Sequence, residues 1–434
     1  MIVLSNIGKL YDGTTSTKNS IRTSVDVFIN KNTIEMVSPH DANLRCSEQL
    51  AIIDCSQYTV TPGLIDCHGH VTLQGFSTSA LETMNSQAAL LYIEKILYST
   101  LVDGGVTTMR DVGGATHFLK RMVDEGMMIG PRLKIAICML SPTGGHADFR
   151  GCDRDPSDIS ALWMPGPGRP SSIVDGPWEC RKRVRELAAC GADLIKICTS
   201  GGIASPSDML EHRAFTKEEI EAICDEAAAK GLRVAAHAHS KSGIELAINH
   251  GVHDIQHISF MDEDLAERAC KMGCTVTPTS WVMHKLAETE DLSTFVKEKV
   301  QQAVEVHTQA VHLANKTGLR ILMGTDPVLP GMHGKNYMEL VYLIADGIEP
   351  LTVWFGATGL AAKEIGQDDS GTITAGKRAD LLICKPGVLE KPEVMAEGGI
   401  LEVIKDGIGY HGTLNGLPRK TFAATVRETV EYRL

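Results

Sequence analysis

The 434-residue chain lacks several features, and each absence excludes something. No apolar run approaches the ~20 residues that a membrane-spanning helix needs. The opening residues, Met1-Ile-Val-Leu-Ser-Asn-Ile-Gly-Lys9, have neither a basic leader nor a sustained apolar stretch and do not read as an export signal. Lysine and arginine form no run longer than a few residues, and the net charge is −12; both argue against nucleic acid or an anionic membrane as the main partner. The twelve cysteines contain no CxxC pair and, with no export signal, read as reduced thiols of a cytoplasmic protein. Cys138, Cys198 and Cys274 sit in apolar strand-like runs, where packing accounts for them.

What is present suits a globular protein: 43% hydrophobic and 22% charged residues, in a chain long enough for one large barrel and a smaller domain. Short β-type runs open it at Ile2-Val-Leu4, Asp26-Val-Phe-Ile29 and Ile34-Glu-Met-Val37, with Lys31-Asn32 as a turn, and predict part of an antiparallel sheet. From about residue 63 the cadence becomes strand, loop, helix, repeated. Six helix-like segments stop at Gly105, Gly191, Gly231, Gly251, Gly273 and Gly318, each followed by a short apolar strand. Glycine closing a helix in the left-handed conformation explains the pattern. With strands at Gly63–Asp66 and Leu133–Ile137 the count is eight, which predicts an α/β fold, a (β/α)8 TIM-type barrel. Thr216-Lys-Glu-Glu219 reads as a helix-starting capping box, with Ile220, Ile223 and Ala227 as its apolar stripe. After Gly371 the sequence returns to β-type runs. Residues 1–60 and 366–434 are therefore expected to pair as one small β-domain beside a barrel of residues 61–365.

The chemistry starts at Thr61-Pro-Gly-Leu-Ile-Asp-Cys-His-Gly-His70. Residues two apart on a strand face the same side, so His68 and His70 point into one cavity, and Gly69 is expected to remove a side chain that would crowd them. Neutral imidazole is the commonest metal ligand. At the ends of later strands, Lys196 closes Ala192-Asp-Leu-Ile-Lys196, His237 closes Val234-Ala-Ala-His237, His257 closes Ile255-Gln-His257, and Asp326 follows Met323-Gly-Thr325. Each alone is weak, since a lone strand-end lysine is more often an ion-pair partner and a lone Asp a helix cap. Together they stand at strands one, four, five, six and eight, on the face where such barrels carry their sites.

Val60-Thr-Pro-Gly-Leu-Ile-Asp-Cys-His-Gly-His70, followed in order by Lys196, His237, His257 and Asp326, closely resembles the binuclear branch of the amidohydrolase superfamily. The resemblance implies a barrel flanked by a β-sandwich built from both chain ends. It places His68, His70 and Asp326 around one divalent ion and His237 and His257 around another. In the family a lysine at the place of Lys196 reacts with carbon dioxide, and the resulting N6-carboxylated lysine bridges the metals together with hydroxide. Asp326 is then the implied catalytic base and later acid. Histidine and carboxylate ligands at an open site favour zinc. Two ions ~3.5–4 Å apart suit hydrolysis, one lowering the pKa of the shared water and the other polarising the carbonyl.

Three loops carry the expectation about substrate: Ser141-Pro-Thr-Gly-Gly-His146, Ser200-Gly-Gly-Ile-Ala-Ser-Pro206 and His333-Gly-Lys-Asn336. They resemble the branch with Xaa-Pro and Xaa-Arg/Lys dipeptidases, related carboxypeptidases, ochratoxin-hydrolysing amidases and imidazolonepropionase-like enzymes. The resemblance implies that His146 faces the substrate and that the loop after the fourth strand helps hold its free carboxylate. Arg213 has the fork geometry for a carboxylate, although a solvated surface role fits it equally. His239 shares strand spacing with His237; the family pattern makes His237 the ligand and leaves His239, like His333, as a pocket residue. Phe215 stands near a position where some of these dipeptidases have tyrosine. The Pro/Gly-rich segment Ser141–Pro177 reads as a lid or pocket wall.

The favoured function is metal-dependent hydrolysis of the amide bond of dipeptides or N-acyl amino acids with a free terminal carboxylate, prolidase-, carboxypeptidase- or ochratoxin-amidase-like. A deaminase or cyclic amidase on the same fold is the alternative, although mononuclear deaminases lack the bridging lysine. A non-catalytic scaffold is disfavoured because no ligand is lost. The expected partner is a small-molecule or dipeptide substrate, with a homo-oligomer left open.

Overall fold

Parallel strands carry the central unit of the computed structural model, which describes residues 1–420 apart from 46–49, 74–85, 149–165, 204, 206–207, 291 and 413. They are β1 (Leu64–Gly69), β2 (Val106–Asp111), β3 (Arg132–Ile135), β4 (Leu194–Cys198), β5 (Arg233–Ala238), β6 (Asp254–His257), β7 (Thr275–Thr277) and β8 (Arg320–Ile321). One parallel ladder joins β1 to β3, and a second runs from the short strand Met139–Leu140 through β4 to β8. Backbone hydrogen bonds from Cys67 N to Met323 O (2.8 Å) and from Asp326 N to His68 O (2.8 Å) tie the chain after β8 back to β1. The arrangement is of TIM-barrel type.

The strand expected at Leu133–Ile137 is split in two. Arg132–Ile135 pairs with β2, while Met139–Leu140 pairs with β4 through Met139 opposite Lys196. Between them Ile137 takes a φ of +71°, a left-handed conformation that a β-branched residue adopts only at a cost and that breaks the extended run.

All six glycines expected to end helices have φ between +69° and +90°. The helix Lys217–Ala229 opens on the reciprocal Thr216/Glu219 capping box and buries Ile220, Ile223 and Ala227. Burying each aliphatic side chain contributes about 1.5–3 kcal/mol, so a stripe of this kind is what seats the helix against the strands. Cys138, Cys198 and Cys274 are buried. Among the described residues no helix is long and apolar enough to cross a membrane.

The chain ends form two sheets. One has the strand order 33–39, 25–30, 2–7, 51–54; its first two pairings are antiparallel, with Lys31 at φ +54° in the turn, while 2–7 pairs in parallel with 51–54. The other has the order 408–409, 400–405, 381–384, 59–62, 9–11, 21–22, so a strand from late in the chain pairs with 59–62. Leu4, Ile29 and Ile34 from the first sheet share an apolar core with Val60, Leu381 and Ile404 from the second. Strand 59–62 runs straight into β1, which places the first histidines a few residues from this core.

Arg132, at the start of β3, ties the barrel strands to residues beside the late-chain sheet by ion pairs at 3.0 Å to Asp380 and to Asp406. Asp380 is almost wholly buried, at 1% side-chain exposure, so removing the arginine leaves a buried carboxylate without its charge partner. Breaking a buried pair from one side costs roughly 3–5 kcal/mol. Arg132→Met is expected to lose about 3 kcal/mol in urea unfolding; a loss under about 1 kcal/mol, the range of a surface ion pair, would show that the contact does not hold the units together.

Candidate metal centre

Side chains from β1, β4, β5, β6 and the turn after β8 converge on one cavity. The Nε2 atoms of His68 and His70 each lie 3.5 Å from Oδ1 of Asp326. Opposite them, His237, His239 and His257 form a second group, and within each group the ligating atoms lie within 4.8 Å of one another. The groups adjoin, with the His68 and His257 rings 4.9 Å apart and those of His237 and His257 4.5 Å apart. Register explains the meeting, since Cys198 pairs with His237 and Ala238 with His257 on neighbouring strands. Lys196 is wholly buried on β4, where its charge disfavours protonation of His68, His70, His237 and His257 and attracts Asp326.

Three of the imidazoles are oriented from behind. His70 Nδ1 donates to Gly113 O (2.8 Å), and His237 Nε2 donates to Gly201 O (3.1 Å). The Thr279 hydroxyl donates to Pro278 O (2.6 Å), so it accepts from His257 Nδ1 at 2.8 Å. Because a carbonyl can only accept, these bonds fix the tautomers and leave His70 Nε2, His257 Nε2 and His237 Nδ1 as unprotonated nitrogens. Burial lowers the pKa of all these histidines, that of His70 to about 3. Neutral imidazole with its proton turned outward is the form that binds metal. His68 Nδ1 is buried with no hydrogen-bond partner. The donor set, imidazole nitrogens and one carboxylate, thus fits divalent ions of the zinc type.

Backbone strain gathers here too. His257, Ile258, Thr279 and Asp326 have φ of +70°, +56°, +59° and +45°. Such conformations cost ~1–3 kcal/mol each and persist where surrounding bonds dictate them. Ile258 N donates to Ala238 O at 3.1 Å and Asp326 N to His68 O at 2.8 Å.

The profile of the Amidohydrolase family matches residues 59–408, from the strand before β1 to past the last long strand. The chain belongs to the amidohydrolase family. Ochratoxinase of Aspergillus niger is 30% identical over 367 residues, 81% of this chain and 75% of that one. A crystal structure of a Xaa-Pro dipeptidase with bound methionine superposes with a TM-score of 0.85 at 29% identity, covering 95% of this chain and all of the other. Imidazolonepropionase of Ruegeria pomeroyi is 23% identical over 354 residues, covering 76% of this chain and 80% of its own.

The other residues singled out in this amidohydrolase fall in two sets. His146 stacks on His237 with centroids 4.1 Å apart, and His239 stacks on His257 at 4.8 Å, so both line the cavity. His333 donates through Nε2 to Leu73 O (2.8 Å), near enough to His70 to disfavour its protonation. Arg213 is not drawn in: its backbone bridges Ser200, but its side chain is exposed and its charge is felt by Glu218. Phe215 is buried in the core beneath the same loop. Part of the expected lid, residues 149–165, lies outside the described residues. Its two ends are joined by Ser141 N to Ser172 O and Val174 N to Ser141 O, both 3.0 Å.

Gly69 has a different purpose from the one expected. A Cβ there would lie 2.4 Å from Met109 Sδ on β2, so the glycine admits the neighbouring strand rather than clearing space between imidazoles. Gly202 answers a similar need, since a Cβ would lie 2.1 Å from His146 Nδ1.

Sequence reasoning missed the residues that hold the ligands. Asp66 accepts from His68 N, Thr325 N, Thr325 Oγ1 and Asn336 Nδ2. His307 reaches His239 through Ser259, with links of 3.2 and 2.8 Å. Buried Lys299 binds Gly202 O and Ser205 O on the loop that carries His146's partner. Asp66 was visible as a polar residue in an apolar run, but nothing local marks a helix residue such as Lys299.

Two adjoining donor groups predict an uptake of about two equivalents of Zn2+ per chain. His68→Ala and His237→Ala are each expected to lower that number, measured by metal analysis after dialysis, with the fold retained. Uptake unchanged in both variants would mean that metal binds elsewhere.

Proposed function

We propose that this amidohydrolase cleaves the amide bond of dipeptides or N-acyl amino acids bearing a free terminal carboxylate, using two zinc ions and a carboxylated Lys196. The observation that carries the reading is the convergence of two histidine groups, His68/His70/Asp326 and His237/His239/His257, next to one wholly buried lysine. Burial disfavours an ammonium there, against the attraction of Asp326 and Asp254, and pushes the Lys196 amine toward its neutral form. The neutral amine is the one that reacts with carbon dioxide. The likeness to a Xaa-Pro dipeptidase and to ochratoxinase supports an amide with a free acid as substrate class.

When bound, the ions would lower the pKa of a shared water and polarise the scissile carbonyl. In this reading Asp326 moves the proton. Burial raises its pKa toward neutrality, so its carboxylate can accept a proton from the attacking water and return it to the leaving nitrogen. His146 orients the substrate. Its Nδ1 is 3.1 Å from Ser205 Oγ, and that hydroxyl spends its proton on Asp208, so His146 is the donor and turns a bare Nε2 to the cavity. His239, stacked on His257, lines the same cavity. A second reading, hydrolysis of a cyclic amide, draws on the imidazolonepropionase relative. We also read the terminal sheets as a β-sandwich of residues 1–60 and 366–434, and the enzyme as cytoplasmic with no nucleic-acid or membrane partner.

Asp326→Asn is expected to lower kcat on the order of 10²–10⁴-fold, because an amide cannot take the proton; a change of only a few-fold in steady-state assays would mean that another base acts. The second expectation concerns the carboxylate. Losing a hydrogen bond to a charged group costs about 1.5–3 kcal/mol, so converting the terminal carboxylate of the best substrate to its amide should reduce kcat/KM by ~10–200-fold. Equal rates on acid and amide would move the search to neutral and cyclic substrates.

A further inference from the structure

One buried polar chain in the barrel has no part in the reading above. Gln256 is wholly buried on β6, one residue before the ligand His257, and its Oε1 accepts from Lys196 Nζ. Its Nε2 donates to Asp254 Oδ2 at 3.0 Å. A carboxylate only accepts, so Asp254 dictates which end of the amide faces it and turns Oε1 toward the lysine. Asp254 is itself immobilised. It forms an ion pair with Arg110, accepts from Thr275 Oγ1 and Thr277 Oγ1 (each 3.0 Å), and is almost wholly buried. Arg110 in turn donates through Nε to Cys67 O (2.6 Å), immediately before His68. An oriented acceptor is thus held against the lysine from the side of the strand starts.

We propose that Gln256 is a positioning residue for carboxylated Lys196, accepting its remaining N–H so that both carbamate oxygens turn toward the two histidine groups. The inference rests on the carboxylated-lysine reading. In that step the neutral amine's lone pair forms the N–C bond to carbon dioxide supplied from bicarbonate, one C=O π pair moves to oxygen, and one amine proton leaves to buffer base. One N–H is left on the nitrogen. Carbamate nitrogen is conjugated with its carboxyl group, so fixing the direction of that N–H fixes the plane of both oxygens. A glutamine with its amide free to flip would present N–H to N–H half the time. Asp254 removes that choice.

Gln256→Met keeps the side-chain length and removes the acceptor, while Gln256→Asn keeps the amide and draws it back by one methylene. Wild type and both variants are reconstituted with Zn2+ and graded 13C-labelled bicarbonate, then read by 13C NMR for the carbamate and by metal analysis. The expected result is that folded variants, judged by circular dichroism and Tm, need at least about tenfold more bicarbonate to reach the wild-type carbamate signal, a shift of about 1.4 kcal/mol. Metal content should fall in parallel at low bicarbonate. A purely structural glutamine would lower Tm while leaving the bicarbonate requirement unchanged, and that result in either folded variant overturns the proposal. If the wild type itself gives no carbamate signal, the carboxylated-lysine reading fails first, and Gln256 has nothing to position.

Discussion

The centre depends on one buried carboxylate. Asp66, on β1 and wholly enclosed, accepts from His68 N (3.0 Å), Thr325 N (3.1 Å), Thr325 Oγ1 (2.5 Å) and Asn336 Nδ2 (2.8 Å). Burial raises its pKa, and the four donors act against that shift. Charged hydrogen bonds are each worth about 1.5–3 kcal/mol, so the anion is stable there only while all its donors stay in place. The same four bonds therefore set the distance between the strand carrying His68 and His70 and the turn carrying Asp326. These are the two halves of the first ligand group.

The second group is held by different means. His257 and Thr279 both adopt left-handed backbone, and the hydrogen bond between their side chains joins the end of β6 to the turn after β7. Strain at the first group and strain at the second are absorbed by bonds to neighbouring strands, so each ligand's direction is set by the barrel and not by its own preference. Within electrostatic reach of both groups is Lys196, backed by Gln256, Asp254 and Arg110. The interior of this barrel is accordingly polar along one line from the lysine toward the strand starts. The surrounding layer of Val112, Ala136, Leu194 and Ala235 stays apolar.

The His146 side of the cavity is built from loops. His146 comes from the loop after the third strand and depends on Ser205, Asp208 and Lys299, which lie on the loop after β4 and on the helix Thr294–Lys316. Residues on loops are the ones that vary most readily on a fixed scaffold. The chain is accordingly similar to proteins as different as an ochratoxinase, a Xaa-Pro dipeptidase and an imidazolonepropionase.

Much of the fold was legible because its signals are local. A glycine that ends a helix, a capping box such as Thr216/Glu219, and histidines two apart on a strand each act within a few residues, where chain geometry decides the outcome. That His68, His70, His237, His257 and Asp326 gather in one region could be read for the same reason, since they lie at or just past the ends of barrel strands, which open on one face. Other features needed the tertiary structure. The break at Ile137, the exposure of Arg213, the close fit of Gly69 against Met109 and of Gly202 against His146, and the partners of Asp66 and Gln256 all join residues far apart in the chain. Sequence by itself determined which residue types reach the cavity, because pleat and helix periodicity are properties of a short stretch. Only the tertiary structure decided which atoms face one another there, because tautomer, amide orientation and backbone strain are set by hydrogen bonds from strands that the chain reaches dozens or hundreds of residues later.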